Sequence, residues 1–224
     1  MRTRGLIFDM DGTIIDSMPY HARSWASFAD RHQITMDVAE LLRQTTGRTG
    51  AECMQVLFGR PMDVQECRDL VHEKEEIYRA LFGPEFTEVP GFKAFSAQAI
   101  GLGLRVGVGT AGDKYNIAFA FSHLKMQPLP HAVVGGDEGL PGKPEPAIFL
   151  EAARRIGAPA EACIVFEDAP LGIEAARRAG MRAVAVCTSH TAEQLAGPHV
   201  ITSIANYHVL LTSNFLGNLH ADLS

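Results

Sequence analysis

Short, mostly apolar runs recur along this chain at positions 5–8, 104–108, 132–134, 163–166 and 183–186. Each is too brief for a helix and apolar at neighbouring positions, the pattern of a strand buried on both faces of a parallel sheet. A weaker run at 199–202 predicts an edge strand. Segments of helical period lie between them at 116–124, 147–156 and 172–179, and Gly157 and Gly180 follow two of these as stops. Strand alternating with helix predicts βαβ crossovers and an α/β fold with a doubly wound parallel sheet.

The stretch 17–88 breaks that rhythm. Its segments 18–32, 38–45, 51–58 and 64–82 all have helical period, with no strand among them, and Pro84 and Pro90-Gly91 punctuate its end. The pattern predicts an all-helical cap at 17–88, inserted into an α/β core made of 1–16 and 89–224. Past Leu211 the pattern fades, and the tail is expected to be poorly ordered.

Composition narrows the function classes. With 46 % hydrophobic and 21 % charged residues in 224, the chain can bury a core without disulfides or a structural metal. A net charge of −6 with no basic stripe argues against a nucleic-acid partner. The apolar run before Asp9 is too short for a signal peptide or a membrane span. No membrane partner is expected, and the cytoplasm is the expected location. The four cysteines are scattered without CxxC spacing, and Cys163 and Cys187 sit in apolar runs as buried free thiols.

In an open parallel sheet, ligands gather beyond the carboxyl ends of the strands. After the first predicted strand come Asp9, Asp11 and Thr13; after the second, Thr110 and Gly112. A loop past the third carries Lys143 in Gly-Lys-Pro, and Glu167-Asp168 follow the fourth. Each piece alone has a plainer reading: a turn for Asp-x-Asp-Gly, a helix cap for Thr110 or Glu167-Asp168, an exposed loop lysine for Lys143. Together they place four carboxylates, one lysine and the Thr110 hydroxyl on one sheet edge. Clustered carboxylates call for a counter-charge, and a hard divalent cation such as Mg²⁺ supplies it. The lysine would neutralise a phosphate.

In this order the residues resemble the four motifs of the haloacid dehalogenase superfamily of phosphotransferases. Asp9-Met-Asp-Gly-Thr13 resembles the first motif, Thr110 after Val-Gly-Val-Gly the second, Lys143 in Gly-Lys-Pro-Glu-Pro the third, and Glu167-Asp168 with Gly172-Ile173 the fourth. The resemblance implies Asp9 as nucleophile forming an aspartyl-phosphate and Asp11 as general acid and base. It implies Mg²⁺ on the Asp9 carboxylate, the Asp11 backbone carbonyl and Asp168, with Glu167 close by, and Thr110 and Lys143 holding the transferring oxygens. Asp11 points to P–O cleavage, since the family's dehalogenases lack an aspartate there.

The helical insert resembles the small cap of the branch that holds sugar phosphatases and beta-phosphoglucomutase. Asp16, His21 and Trp25, the loop Gly47-Arg48-Thr49, and Lys74 with Tyr78 match cap positions. The resemblance implies substrate binding by Thr13, His21, Arg48, Lys74 and Ala111. It further implies that the cap moves, with hinges near Asp16-Ser17 and Glu88-Val89. Two activities remain. A phosphatase of a small phosphorylated metabolite, a sugar or polyol phosphate, is favoured because Gly50 stands where beta-phosphoglucomutase carries an arginine. A mutase is the alternative, with which His21 and Lys74 are compatible. A non-catalytic binding module is third, and the intact Asp9, Asp11, Lys143 and Asp168 count against it.

Overall fold

The protein is described by a computed structural model covering residues 3–221. The chain opens with β1 (Gly5–Phe8), followed by four helices, α1 (Met18–Arg31), α2 (Val38–Thr45), α3 (Gly50–Phe58) and α4 (Val64–Phe82). Then come α5 (Phe92–Gly101), β2 (Arg105–Gly109), α6 (Lys114–Leu124), β3 (Ala132–Val134), α7 (Ala147–Ile156) and β4 (Cys163–Glu167). The chain continues with α8 (Pro170–Arg178), β5 (Arg182–Val186), β6 (Val200–Ile204), α9 (His208–Thr212) and α10 (Phe215–Ala221). The six strands form one sheet in the order β3-β2-β1-β4-β5-β6, every neighbouring pair parallel. The α/β, doubly wound parallel fold read from the sequence is the observed one.

Period-two alternation sorts the strand residues onto two unlike faces. Leu6, Phe8, Val106, Val108, Ile164, Phe166, Val184 and Val186 turn to one side, against α5, α6, α9 and α10. This face is aromatic: Phe8 stacks on Phe166 at 4.5 Å and meets Phe92 edge-on at 5.2 Å, with Tyr207 filling in beside them. The other side carries Ile7, Cys163, Val165, Ala183 and Ala185. There Gly107 and Gly109 of β2 leave room for α7 to lie close, since an added Cβ would come within 3.1 Å of Ile156 and 3.2 Å of Phe149.

Helices α1–α4 pack around an apolar cluster of their own, built on Trp25, Phe28, Leu41, Cys53, Met54 and Ile77. Their starts are set locally. Asp37 and Asp63 accept backbone N–H groups at the heads of α2 and α4, and Thr49 with Glu52 forms a capping box on α3. Helix α4 is the shared element. Ile77 serves the helical cluster while Tyr78 and Phe82 belong to the main core, meeting Phe119 of α6 at 6.1 Å. The two chain crossings between the helical segment and the sheet run side by side: Val89 N–H donates to Ile14, and Asp16 N–H to Thr87.

One expectation is corrected. The segment after Leu211 is helical as far as Ala221, and Leu210, Leu216 and Leu219 are buried on the aromatic face of the sheet. Its apolar positions are too few to show a period, yet enough to seal that face; residues 222–224 lie outside the described part. Helix α5, unread in the sequence, packs Phe92, Phe95 and Ala99 on the same face. Cys163 is buried as expected, whereas Cys187 is only half-buried; both are free thiols. No helix among the described residues is long and apolar enough to cross a membrane.

Candidate active site

The sheet reverses direction of growth between β1 and β4, and a crevice opens at the carboxyl ends of strands that part in this way. Asp9 follows β1 directly, its N–H still paired to Phe166 of β4 at 3.0 Å. Glu167 is the last residue of β4, Asp168 the next, and Thr110 the first after β2. The parallel ladder thus delivers all four to one edge.

Lys143 ties this edge together. Its Nζ lies 2.5 Å from Asp9 Oδ1 and 2.6 Å from Glu167 Oε1, with all three side chains buried. The second Glu167 oxygen accepts the Ala169 N–H at 2.7 Å. Glu167 therefore spends both oxygens orienting the lysine and the head of α8. That approach needs Gly172, where a Cβ would fall 1.8 Å from Glu167 Oε1. Asp168 is held differently: the hydroxyls of Thr13 and Ser189 both donate to its carboxylate, and His190 sits on its carbonyl. Thr188 reaches back to the Gly12 carbonyl at 2.5 Å. Gly12 has φ +74°, and a Cβ there would lie 2.2 Å from Asp168 Oδ2, so glycine alone fits.

Burial and crowding set the electrostatics. Burial pushes Asp9 up to about 8; Lys143 opposes that rise and Glu167 adds to it. Asp168 is raised well above the carboxylate range by burial, then by Glu167 and Asp9. For Lys143, burial favours the neutral form, but Asp9 and Glu167 outweigh it and the ammonium is strengthened. Three carboxylates against one lysine leave an excess of negative charge. Ligand oxygens of Asp9, Glu167 and Asp168 lie within 4.8 Å of one another, a hard, all-oxygen set suited to a divalent cation. The Asp11 carbonyl takes no loop or turn N–H among the described residues.

Asp11 turns the other way, toward the helices. Its Oδ1 accepts from Ser17 at 2.7 Å, Tyr78 at 3.2 Å and His21 Nε2 at 3.1 Å. His21 stacks flat on Tyr78 at 3.9 Å, and its Nδ1 lies 2.7 Å from Lys74 Nζ. An ammonium only donates, so Nδ1 accepts and Nε2 carries the hydrogen given to Asp11. Burial favours the neutral acid, but His21 and the Ser17 hydroxyl prevail, and Asp11 lies below the ordinary carboxylate value.

Asp9, Asp11, Glu167, Asp168, Thr110, Ala111, His21, Trp25, Arg48 and Lys74 all line one cavity between the sheet edge and α1–α4. The enclosed part of this cavity is small, about 100 Å³. Thr13 is placed elsewhere: fully buried, with its hydroxyl toward Asp168 and its carbonyl taking the Tyr207 hydroxyl. Asp16 is exposed outside the cavity. Ser17, Glu75, Asn116 and Ser189 were not among the site residues expected from the sequence. Each is an ordinary polar residue whose importance comes only from what the fold lays beside it.

The comparisons with known proteins agree with this geometry. Residues 3–180 match the family model of haloacid dehalogenase-like hydrolases, and the chain belongs to that family. It is 32 % identical to fructose-1-phosphate phosphatase YqaB of Escherichia coli over 83 % of this chain and 97 % of that one. It is 30 % identical to beta-phosphoglucomutase of Bacillus subtilis over 82 % and 83 % of the two chains. Among solved structures, beta-phosphoglucomutase of Clostridium difficile superposes with a TM-score of 0.83 over 99 % of each chain, at 24 % identity, a likeness of fold.

Proposed function

We propose that this protein is a Mg²⁺-dependent cytoplasmic phosphatase that hydrolyses a small sugar or polyol phosphate through an aspartyl-phosphate on Asp9. The observation that carries the reading is Lys143, buried between Asp9 and Glu167 with Asp168 beside them. That arrangement suits holding a phosphate against a carboxylate nucleophile. Membership of a hydrolase family and the likeness to a fructose-1-phosphate phosphatase support it.

Asp9, Asp168 and the Asp11 carbonyl would hold the metal, with Glu167 fixing Lys143 rather than serving as a ligand. Bound there, Mg²⁺ would offset the repulsion between an anionic nucleophile and an anionic phosphate. The Asp9 carboxylate attacks phosphorus, and the ester oxygen departs with the proton of Asp11. Water then attacks the aspartyl-phosphate, returns a proton to Asp11, and inorganic phosphate leaves with Asp9 restored. In the resting site three donors hold Asp11 ionised. A phosphate dianion beside it acts in the opposite sense, so the acid form builds up when substrate is present. Thr110 and Lys143 stabilise the transferring oxygens. His21, Arg48, Lys74 and Ala111 face the leaving group, while 17–88 acts as a cap on a core of 1–16 and 89–224.

Hydrolysis is favoured over a mutase by the cations available. Arg48 and Lys74 are the arginine and lysine lining the cavity. Lys74 is engaged by Glu75 and His21, and Arg48 donates to the Gln44 carbonyl. Position 50 is a glycine whose Cβ would meet Val71 at 2.7 Å. A second phosphate would find little to bind it. The test is phosphate release from a panel of sugar and polyol phosphates with Mg²⁺, using Asp9→Asn as blank. Release requiring both Mg²⁺ and Asp9 supports the reading. Glucose 6-phosphate formed from β-glucose 1-phosphate with little free phosphate overturns it in favour of the mutase.

A further inference from the structure

The catalytic cavity and a wider groove beside it share a wall that includes a bond between two side chains. Asn116, in the first turn of α6, is 3 % exposed, and both ends of its amide are engaged by α4. Its Nδ2 donates to Glu75 Oε2 at 2.7 Å, and its Oδ1 accepts from Arg79 at 2.7 Å. Glu75 and Arg79 are one helical turn apart, so one amide bridges two successive turns. The other Glu75 oxygen takes Lys74 Nζ at 2.8 Å. Burial works against the charge on Glu75, but the Lys74 ammonium, with the hydrogen bonds from Lys74 and Asn116, outweighs it and holds the carboxyl below its ordinary range.

The placement of this contact matters more than its strength. Glu75 and Asn116 line the catalytic cavity and also a wider, more open groove on its outer side. Gly50, Val71, Ala111 and Gly112 border both spaces as well. The groove beyond carries Arg68, His72, Lys114 and the half-exposed ring of Tyr115. Across the junction, the Glu75–Asn116 bond is one of the contacts that join the helical segment to the core. Asn116 is fixed to the core because its N–H donates to Asp113, the cap of α6, at 2.8 Å. Asp113 in turn follows the Thr110–Gly112 turn at the reacting end.

We propose that the Glu75–Asn116 bond is a length gate that limits the leaving group to one that ends inside the catalytic cavity. The inference rests on the phosphatase reading and names the substrate class of that site: phosphate esters of single small hydroxylated molecules. A hydroxyl reaching the gate meets the Glu75 carboxylate as acceptor and the free Asn116 N–H as donor. An ester carrying a second ring must break the bond to pass into the groove, and then costs the Asn116 Nδ2 hydrogen and the Glu75 Oε2 oxygen their shared partner.

The test compares glucose 6-phosphate with trehalose 6-phosphate, which share the reacting end and differ by one ring. Wild type should favour the shorter ester by about 100-fold in kcat/KM, within the range set by depriving a buried polar group of its partner. Asn116→Ala should raise the long-to-short ratio by roughly tenfold or more, about 1.4 kcal/mol. Glu75→Gln, which retains an acceptor for Asn116, should keep the wild-type ratio. Equal use of both esters by wild type, or an unchanged ratio in a natively melting Asn116→Ala, overturns the gate. Asn116→Ser replaces the alanine variant if that one fails to fold. If wild type releases phosphate from no ester, the phosphatase reading fails, and calorimetric binding of the two esters still decides the gate by the same ratio.

Discussion

The two walls of the cavity are built on different principles. On the sheet side, Asp9, Thr110, Glu167 and Asp168 sit at or next to the ends of strands locked in a parallel ladder. Their side chains are held by one lysine, two hydroxyls and two backbone N–H groups. On the helix side, His21, Lys74, Glu75 and Tyr78 hang from α1 and α4 and hold one another by side-chain contacts. The difference teaches where chemistry and selectivity reside. The first wall fixes atoms relative to one another and suits bond making. The second is assembled from side chains that depend on one another, and suits choosing a leaving group. Asp11 belongs to the first by backbone and to the second by side chain.

Substitutions on the two walls should therefore fail differently. Lys143→Ala removes the one cation among three buried carboxylates. It should lower kcat by roughly 10²–10³-fold and stability by about 3 kcal/mol, read by phosphate release and urea unfolding. A wild-type unfolding midpoint would deny that the lysine holds this wall together. Gly12→Ala drives a methyl against Asp168 Oδ2. It should weaken Mg²⁺ activation about tenfold or more, measured as the Mg²⁺ concentration for half-maximal rate.

On the helix wall the effects shrink. Tyr78→Phe deletes one of three donors to Asp11, at a cost of about 1 kcal/mol or roughly fivefold in kcat. Losing a donor to the ionised form raises the proton affinity of Asp11, so the acidic limb of the kcat profile should move to higher pH. A profile that stays in place would remove Tyr78 from the acid–base machinery. The smallest effect concerns Glu75, whose folded carboxyl lies below its ordinary value of 4.5. A lowered folded value supplies stability that is complete above about pH 4.5 and is lost as pH falls through the folded value. Glu75→Gln should flatten thermal stability against pH below that point, as followed by melting curves from pH 3 to 6.

The same contrast explains what could be read from the sequence. The strands and their exits were legible because a parallel strand is a short apolar run and its functional residue follows immediately. Asp9, Lys143 and Glu167-Asp168 needed nothing more than strand order to be drawn together. His21, Arg48 and Lys74 were located on the cavity only through family likeness, because a helix face gives no sign of what it will oppose. Ser17, Glu75, Asn116 and Ser189 were silent for a further reason: their partners lie on other elements, between 6 and 41 residues away along the chain. Helix α5 and the final helices were missed because the aromatic face they cover asks only for bulk, not for a long repeating pattern.

The unequal faces of the sheet also govern how this molecule can change. On the aromatic side, Phe, Leu and Ile neighbours can trade volume among themselves, since large side chains repack at modest cost. On the other side there is no slack. A methyl on Gly5 would press on Cys163 at 2.8 Å and Ile156 at 2.9 Å, and one on Gly107 on Ile156 at 3.1 Å. Drift in sequence should therefore accumulate on one face and stall on the other, leaving α7 and α8 as a nearly fixed back plate behind the reacting residues.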